Sequence, residues 1–322
     1  MPAFRMTVRE PFSLVETALS HGWHETPPFR YDFATTSLWI AVRVPPSGRA
    51  LEVRVREVER KDGKVRLEVR VAAVATLPEV ARVAVRAAVE RCLHTKARLD
   101  KFYALCRRYR PLHWAIERQA GRILRGVTVF EDLVKAICGT NITWKQAVRS
   151  IHRLCSPLPE PENAIQGLRA FPTAGELLTW GGRHLREHAR VGYRAASILE
   201  LCERVRDADF DIDFPLRDGA RGEEVFEWFQ TIRGIGPVTA AYLTALYGHH
   251  DFLGVDSLGL TYLGNKYHGG RKATIAEANA RYERFGRYRM LAYWCEFLGD
   301  VDRVSWRPPE PPSSQQKTAG SI

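Results

Sequence analysis

Apolar and charged residues alternate at period two along 51–57 and 64–71, as in Leu51-Glu-Val-Arg-Val-Arg-Glu57 and Lys64-Val-Arg-Leu-Glu-Val-Arg-Val71. Between the two runs stands Arg60-Lys61-Asp62-Gly63, and Asp-Gly at that place is a strong hairpin signal. The pair reads as antiparallel strands with one wet face, so the alternating arginines need only water as a partner. A β-rich run at 37–44 adds a further strand, strands dominate from about 4 to 75, and one helix is placed at 14–21. From Pro78 the spacing becomes helical, with helices over 78–93, 98–107, 129–138, 143–155, 174–180, 183–188, 193–206, 222–231, 237–248, 257–265, 274–284 and 286–298. Pro157, Pro159 and Pro161 punctuate one connection, and 217–222 forms another.

The fold class read from this pattern is α+β: an N-terminal antiparallel β-sheet unit with flanking helices over 1–95, then a mostly α-helical unit over 96–306 in two lobes with a cleft between them. The stretch 307–322, rich in Pro, Ser and Gln, reads as a disordered tail.

Composition narrows the class. The chain has 322 residues, 45 % of them hydrophobic, enough for a sizeable core. A net charge of +11 and an isoelectric point near 9.5 point to a polyanion as partner, with nucleic acid ahead of a membrane surface. The six cysteines form no Cys-x-x-Cys pair and most sit in apolar helical patterns, so buried reduced thiols are expected. The N-terminus lacks an apolar signal core and no stretch is long enough to span a bilayer, which places the protein inside the cell, in bacterial cytoplasm or a nucleus. His249-His250 and His184…His188 lack a third ligand at a usual spacing and read as exposed loop histidines.

The most informative segment is Arg233-Gly234-Ile235-Gly236-Pro237-Val238-Thr239, which links two helices. The glycines permit positive φ and expose backbone N–H groups beside a helix N-terminus, a cradle for a phosphate. Ile235 would plug the gap between the helices. Taken alone, the hairpin is equally an ordinary tight turn. Twenty residues beyond Gly236 comes Gly254-Val255-Asp256-Ser257, with Asp256 at a helix entrance where first-turn N–H groups hold a carboxylate. A plain N-cap would read the same way. Trp228, Phe229 and Tyr247 read as core.

Hairpin and aspartate together resemble the helix–hairpin–helix/Gly-Pro-Asp superfamily of DNA glycosylases, the 3-methyladenine and 8-oxoguanine branches above all. Further segments carry the likeness in order: Cys138-Gly-Thr-Asn141-Ile142-Thr143, Gly192-Tyr193-Arg194-Ala195, and Gly286-Arg-Tyr288 through Tyr293 to Phe297. The resemblance implies duplex DNA with a damaged base as partner, no membrane, and a monomer. It puts Arg233, Gly234, Ile235, Gly236 and Thr239 on the DNA backbone. It puts Asn141 in the vacated stack with Tyr193 wedging alongside, and Ile142, Gln146 and Arg194 with them among the wedge and orphaned-base contacts. Val238, Tyr242, Tyr293 and Phe297 would line the base pocket, and Asp256 would be catalytic.

Departures sharpen the expectation. Bifunctional members carry a lysine two positions after the second hairpin glycine; here that position is Val238, and no lysine lies within 234–248. The tryptophan common at that position in alkylpurine enzymes is also missing. The four-cysteine cluster after the last helix is absent, so no iron–sulfur centre and no other cofactor is expected, apart from an optional structural monovalent cation at the hairpin. The resulting expectation is a monofunctional enzyme acting on alkylated purines such as 3-methyladenine. An 8-oxoguanine-type enzyme and a non-catalytic DNA-binding protein are the alternatives.

Overall fold

A computed structural model describes residues 1–156, 168–207 and 210–305. The proline-punctuated connection beyond 156 and the tail beyond 306 lie outside the described residues.

Five strands make one antiparallel sheet: β1 (Ala3–Arg9), β2 (Phe29–Asp32), β3 (Ser37–Val44), β4 (Arg49–Lys61) and β5 (Lys64–Val71), in the order β1-β5-β4-β3-β2. The predicted hairpin is β4–β5, turning on Asp62 and Gly63, both at positive φ. Alternation fixes its register: Val55 faces Val69, and Val53, Val55, Val65, Leu67, Val69 and Val71 are all buried. Arg56 and Arg66 point to water on the opposite face. A register shift between Glu57 and Glu59 bulges the long strand near its end.

The short helix α1 (Leu14–Ala18) is capped by Ser13. Beyond the sheet, α2 (Glu79–Cys92) lays Ala81, Val85, Ala88, Val89 and Cys92 into the core at helical spacing. The remaining helices are α3 (Asp100–Cys106), α4 (His113–Glu117), α5 (Val129–Gly139), α6 (Trp144–Leu154), α7 (Ala174–Arg183), α8 (Arg194–Arg206), α9 (Gly222–Gln230), α10 (Pro237–Leu246), α11 (Ser257–Tyr267), α12 (Ile275–Tyr282) and α13 (Arg289–Ser305). Helix α4 is too short to show a period in sequence. The last helix starts at Arg289 rather than 286, because Gly286 adopts φ 51° and breaks the turn before it. Sheet and helices share one continuous apolar core. No helix among the described residues is long and apolar enough to cross a membrane.

Burial overturns one expectation. His184 and His250 are inside, 4 % and 8 % exposed, not on exposed loops. Their neighbours fit them as core rings: His184 packs between Trp180 and His188, and His250 lies over Tyr288. All six cysteines are buried and unbonded.

Helix α5 carries charge into this core. Lys135 Nζ meets Glu131 Oε1 at 2.7 Å with both side chains fully buried, and it lies 4.8 Å from the Phe29 ring and 5.1 Å from that of Trp23. Beside it, Asp132 accepts from Arg91 (2.7 Å), Tyr247 (2.5 Å) and the Gly126 N–H (2.6 Å). These pairs tie α5 to the strand unit on one side and to α10 on the other.

Candidate active site

Helix α9 ends at Gln230, and 231–236 turns the chain into α10, whose first residue is Pro237. Gly234 sits at φ 90°, and a Cβ there would come within 3.1 Å of Ser197 on α8. This is the position that requires glycine. Ile235 is 5 % exposed, inserted between the helices as expected, while Arg233 points outward and pairs with Glu200 at 3.1 Å. Gly236 caps α10 with extended backbone, and among the described residues no side chain caps that end. By contrast Thr128, Thr173 and Thr274 cap α5, α7 and α12. The first turn of α10 therefore presents its backbone donors to whatever lies outside.

After α10 the chain doubles back. Phe252 stacks on Phe226 of α9, with ring centroids 4.2 Å apart and planes within 4°. Gly254 then crosses the first turn of α10 so closely that a Cβ would lie 2.7 Å from the Val238 carbonyl oxygen and 3.0 Å from Ala241 Cβ. Two residues later Asp256 caps α11, accepting the Gly259 N–H at 2.8 Å through Oδ1. The close crossing is what brings Asp256 to the hairpin end of α10. Asp256 is exposed, as are Val238 (40 % exposed) and Leu258 (64 % exposed). Lys272, from the basic loop before α12, donates to the hydroxyl of Ser257, the residue after Asp256, at 3.1 Å.

Tyr242 lies one turn along α10 from Val238, half-buried. Its hydroxyl bonds to His21 Nδ1 at 2.8 Å, and its ring meets the edge of Trp294 at 5.7 Å. Trp294 in turn stacks on Phe297 at 5.9 Å. Tyr293 is 3 % exposed and packs beneath α11: a Cβ on Gly259 would collide with its hydroxyl. Burial pushes the Tyr293 hydroxyl well up, with the nearby Asp256 charge adding to the rise. Tyr293 thus supports the aspartate's helix from below, and Trp294 is the α13 ring that joins Tyr242.

At the far tip, Asn141 (φ 49°) and Tyr193 (68 % exposed) meet across the α5–α6 and α7–α8 connections, Nδ2 to Oη 3.2 Å. Ile142 is half-buried. Gln146 is spent on the capping box of α6, its Oε1 accepting from the Thr143 hydroxyl at 2.8 Å. Arg194 does not join the exposed tip. It is 6 % exposed, with its guanidinium on the Thr140 and Val191 carbonyls, and it holds the tip from inside.

Three residues absent from the sequence reading belong to this neighbourhood: His21, Trp144 and Trp294. Nothing local marks His21 or Trp144. Trp294 is adjacent to Tyr293, and only the rotation of α13 decides which of the two rings joins Tyr242. A cavity of about 1050 Å³ lies on the other side of Trp294, lined by residues such as Phe29, Tyr31, Trp114 and Leu298. Val238, Tyr242 and Asp256 do not line it.

No family profile matches the chain, and no curated protein matches it in sequence. Solved structures do match in three dimensions. One is a 3-methyladenine DNA glycosylase from Archaeoglobus fulgidus (TM-score 0.70, 19 % identity, 93 % of this chain and 99 % of that one). Another is MBOgg1 in complex with a low-affinity DNA ligand (TM-score 0.67, 18 % identity, 94 % and 100 %). A third is the 8-oxoguanine glycosylase/lyase of Clostridium acetobutylicum with double-stranded DNA containing cytosine opposite 8-oxoguanine (TM-score 0.63, 14 % identity, 94 % and 99 %). Over nearly its whole length, the chain has the α+β fold shared by these DNA glycosylases.

Proposed function

We propose that the protein is a monofunctional DNA glycosylase that extrudes a damaged base, an alkylated purine such as 3-methyladenine, and hydrolyses its N-glycosidic bond. The observation that carries this reading is the placement of Asp256, held at the α11 cap beside the uncapped hairpin end of α10, where Val238 stands instead of an amine. The fold likeness to glycosylases, two of them in structures with DNA, supports it.

The hairpin amides and the basic surface would hold the phosphates of duplex DNA, a sequence-independent and salt-sensitive grip. Reaching a base inside a duplex requires flipping it out; glycosylases are among the stock examples of that principle. Asn141 and Tyr193, hydrogen-bonded to each other at an exposed tip, would occupy the gap. As the C1′–N bond breaks, its electron pair leaves with the base and positive charge grows on the sugar, which the Asp256 carboxylate stabilises. Water then adds to C1′ and gives up its proton, leaving an intact abasic strand. Val238 cannot form an imine with that site, so no β-elimination follows. The reaction needs no redox cofactor; a monovalent cation on the hairpin carbonyls would serve structure alone.

The 8-oxoguanine-type reading is favoured by one feature, the Asn141–Tyr193 tip. Duplexes bearing single 3-methyladenine, 7-methylguanine, hypoxanthine or 8-oxoguanine lesions separate the two. The expected outcome is release of free alkylpurine with the strand uncut, and loss of release in Asp256→Asn by about a hundredfold or more, as for one electrostatic contact to a transition state. Strand cleavage, or borohydride trapping of an enzyme–DNA adduct through a lysine such as Lys272, would overturn the monofunctional mechanism. Undiminished release by the variant would overturn the role of Asp256.

A further inference from the structure

We infer that the open face of the β-sheet is a second DNA-binding surface, which holds the phosphates of another duplex segment while the hairpin holds the first. The inference goes beyond the proposed function: it needs DNA as the partner but neither base excision nor Asp256. The surface is built from Arg30, Trp39, Arg54 and Arg70, with Arg5 and Arg56 beside them.

Strand register sets these side chains in two rows. Trp39 of β3 pairs with Arg30 of β2 on one side and Arg54 of β4 on the other, and Arg54 pairs with Arg70 of β5. Two residues along, Arg56 pairs with Glu68, which pairs with Arg5 of β1. Alternation puts them all on the face opposite Val53, Val55, Val69 and Val71, which are buried in the core. Neighbouring strands lie about 4.8 Å apart, so the cations of the first row are rooted about 5–10 Å from one another. None of these residues belongs to the hairpin, α10 or α11, and the two surfaces can be altered independently.

Two features distinguish the rows from a merely solvated face. The first is positive charge that the protein leaves unanswered. Glu68 accepts from Arg70 at 2.7 Å and Glu59 is paired with Arg66, whereas Arg5, Arg30, Arg54 and Arg56 form no ion pair among the described residues. Arg54 also stands directly opposite Arg70, a like-charge placement that costs a sheet stability. The Glu68 carboxyl senses this field: the Arg70 hydrogen bond holds it below the usual carboxylate range, and the charges of Arg56 and Arg54 lower it further.

The second feature is order. The guanidinium carbons of Arg30 and Arg54 lie 5.3 and 5.7 Å from the Trp39 ring centroid. An indole flanked by two long cations restricts both before a partner arrives, and a guanidinium laid over a ring keeps N–H donors free for a phosphate. A bilayer surface would also require apolar side chains to insert, and none of the large apolar residues exposed in the described structure stands in either row. Cations repeated at strand spacing suit a phosphate chain, which satisfies them in any register.

The test uses the whole chain, an immobilised undamaged duplex and a second, fluorescent duplex. Wild-type protein held on the first duplex is expected to capture the second. Contacts from Arg5, Arg30, Arg54 and Arg56 to one phosphate each give a log–log salt slope of about 3.6, a loss of about 150-fold in affinity between about 50 and 200 mM salt. Replacing all four by Thr, a good strand residue, should abolish capture with the thermal midpoint no lower than in the wild type. Each single change, such as Arg54→Thr, should lower the slope by about 0.9, and these singles decide the matter if the fourfold variant does not fold. Capture that survives the substitutions, as from a dimer with one DNA site per subunit, overturns the inference, and so does a wild type that captures nothing. Displacement of the second duplex by phosphatidylserine vesicles or polyglutamate at lower charge concentration than by free duplex also overturns it, because the face would then serve a different partner. Release of base from a short damaged duplex tests the proposed function separately, whichever way capture turns out.

Discussion

The hairpin end of α10 and the ring wall around Tyr242 lie one helical turn apart and are built on opposite principles. The hairpin is a surface of groups left open: uncapped backbone donors, a glycine at φ 90°, and an aspartate facing solvent. In the wall, Tyr242, His21 and Trp294 have their polar atoms spent on protein partners, and the rings are set edge to face. Open donors suit a ligand that repeats along a polymer, because any phosphate satisfies them. Locked rings suit a ligand that must be told from its relatives, because they forfeit fit when the shape or charge is wrong. Under the proposed function, the contrast would give grip to one region and discrimination to the other.

The largest expected perturbation strikes what the wall stands on. Lys135→Met strips Glu131 of its buried partner beside Trp23 and Phe29, and unfolding in urea should show a loss of about 3–5 kcal/mol. The paired change Lys135→Met with Glu131→Leu should recover much of that loss.

Acid comes next. His21 and His250 are held by burial at about 3, whereas the unfolded chain binds those protons near 6.5. The folded state therefore holds fewer protons in that window. The stability these rings allow is complete above about 6.5 and is lost as pH falls toward 3, by up to about 1.4 kcal/mol per pH unit for each ring. Thermal midpoints followed from pH 7.5 to 5 should drop, and replacing His250 by Phe should flatten the slope.

The hairpin supplies the smallest and most pointed comparison. Gly234→Ala places a Cβ at positive φ against Ser197 and should cost about 1 kcal/mol, with weaker binding to undamaged duplex. Gly236→Ala, at φ −87° with nothing among the described residues within 4 Å of the new methyl, should stay within about 0.5 kcal/mol in stability. Equal effects at the two glycines would remove the distinction between a required turn conformation and a merely open approach.

Much of this protein is readable without coordinates where the information is local. Period-two alternation placed the β4–β5 hairpin, Asp62-Gly63 placed its turn, and Gly234-Ile235-Gly236 placed the turn between α9 and α10, with Asp256 twenty residues on at the α11 cap. Where the reading strayed, a rotation or a distant partner was involved. Tyr293 and Trp294 are neighbours in sequence, and their roles were separated by the packing of α13 against Gly259 on one side and Ser20 on the other. Arg194 looks in sequence like an exposed basic residue beside Tyr193, yet the carbonyls of Thr140 and Val191 draw it inside. His184 and His250 carry polar names in polar stretches, and aromatic neighbours take them into the core.

The sequence by itself determined the elements, the hairpin and the Asp256 cap of α11, because turn chemistry, hydrophobic period and helix capping act over a few residues. The tertiary structure decided that Asp256 is carried to the start of α10, since that depends on Gly254 crossing Val238 without a side chain between them. It also decided that residues 20–22 meet 124, 144, 242 and 294, contacts separated by up to 274 positions in the chain. No window of sequence encodes such meetings, because they follow from how two differently patterned halves bury one shared core.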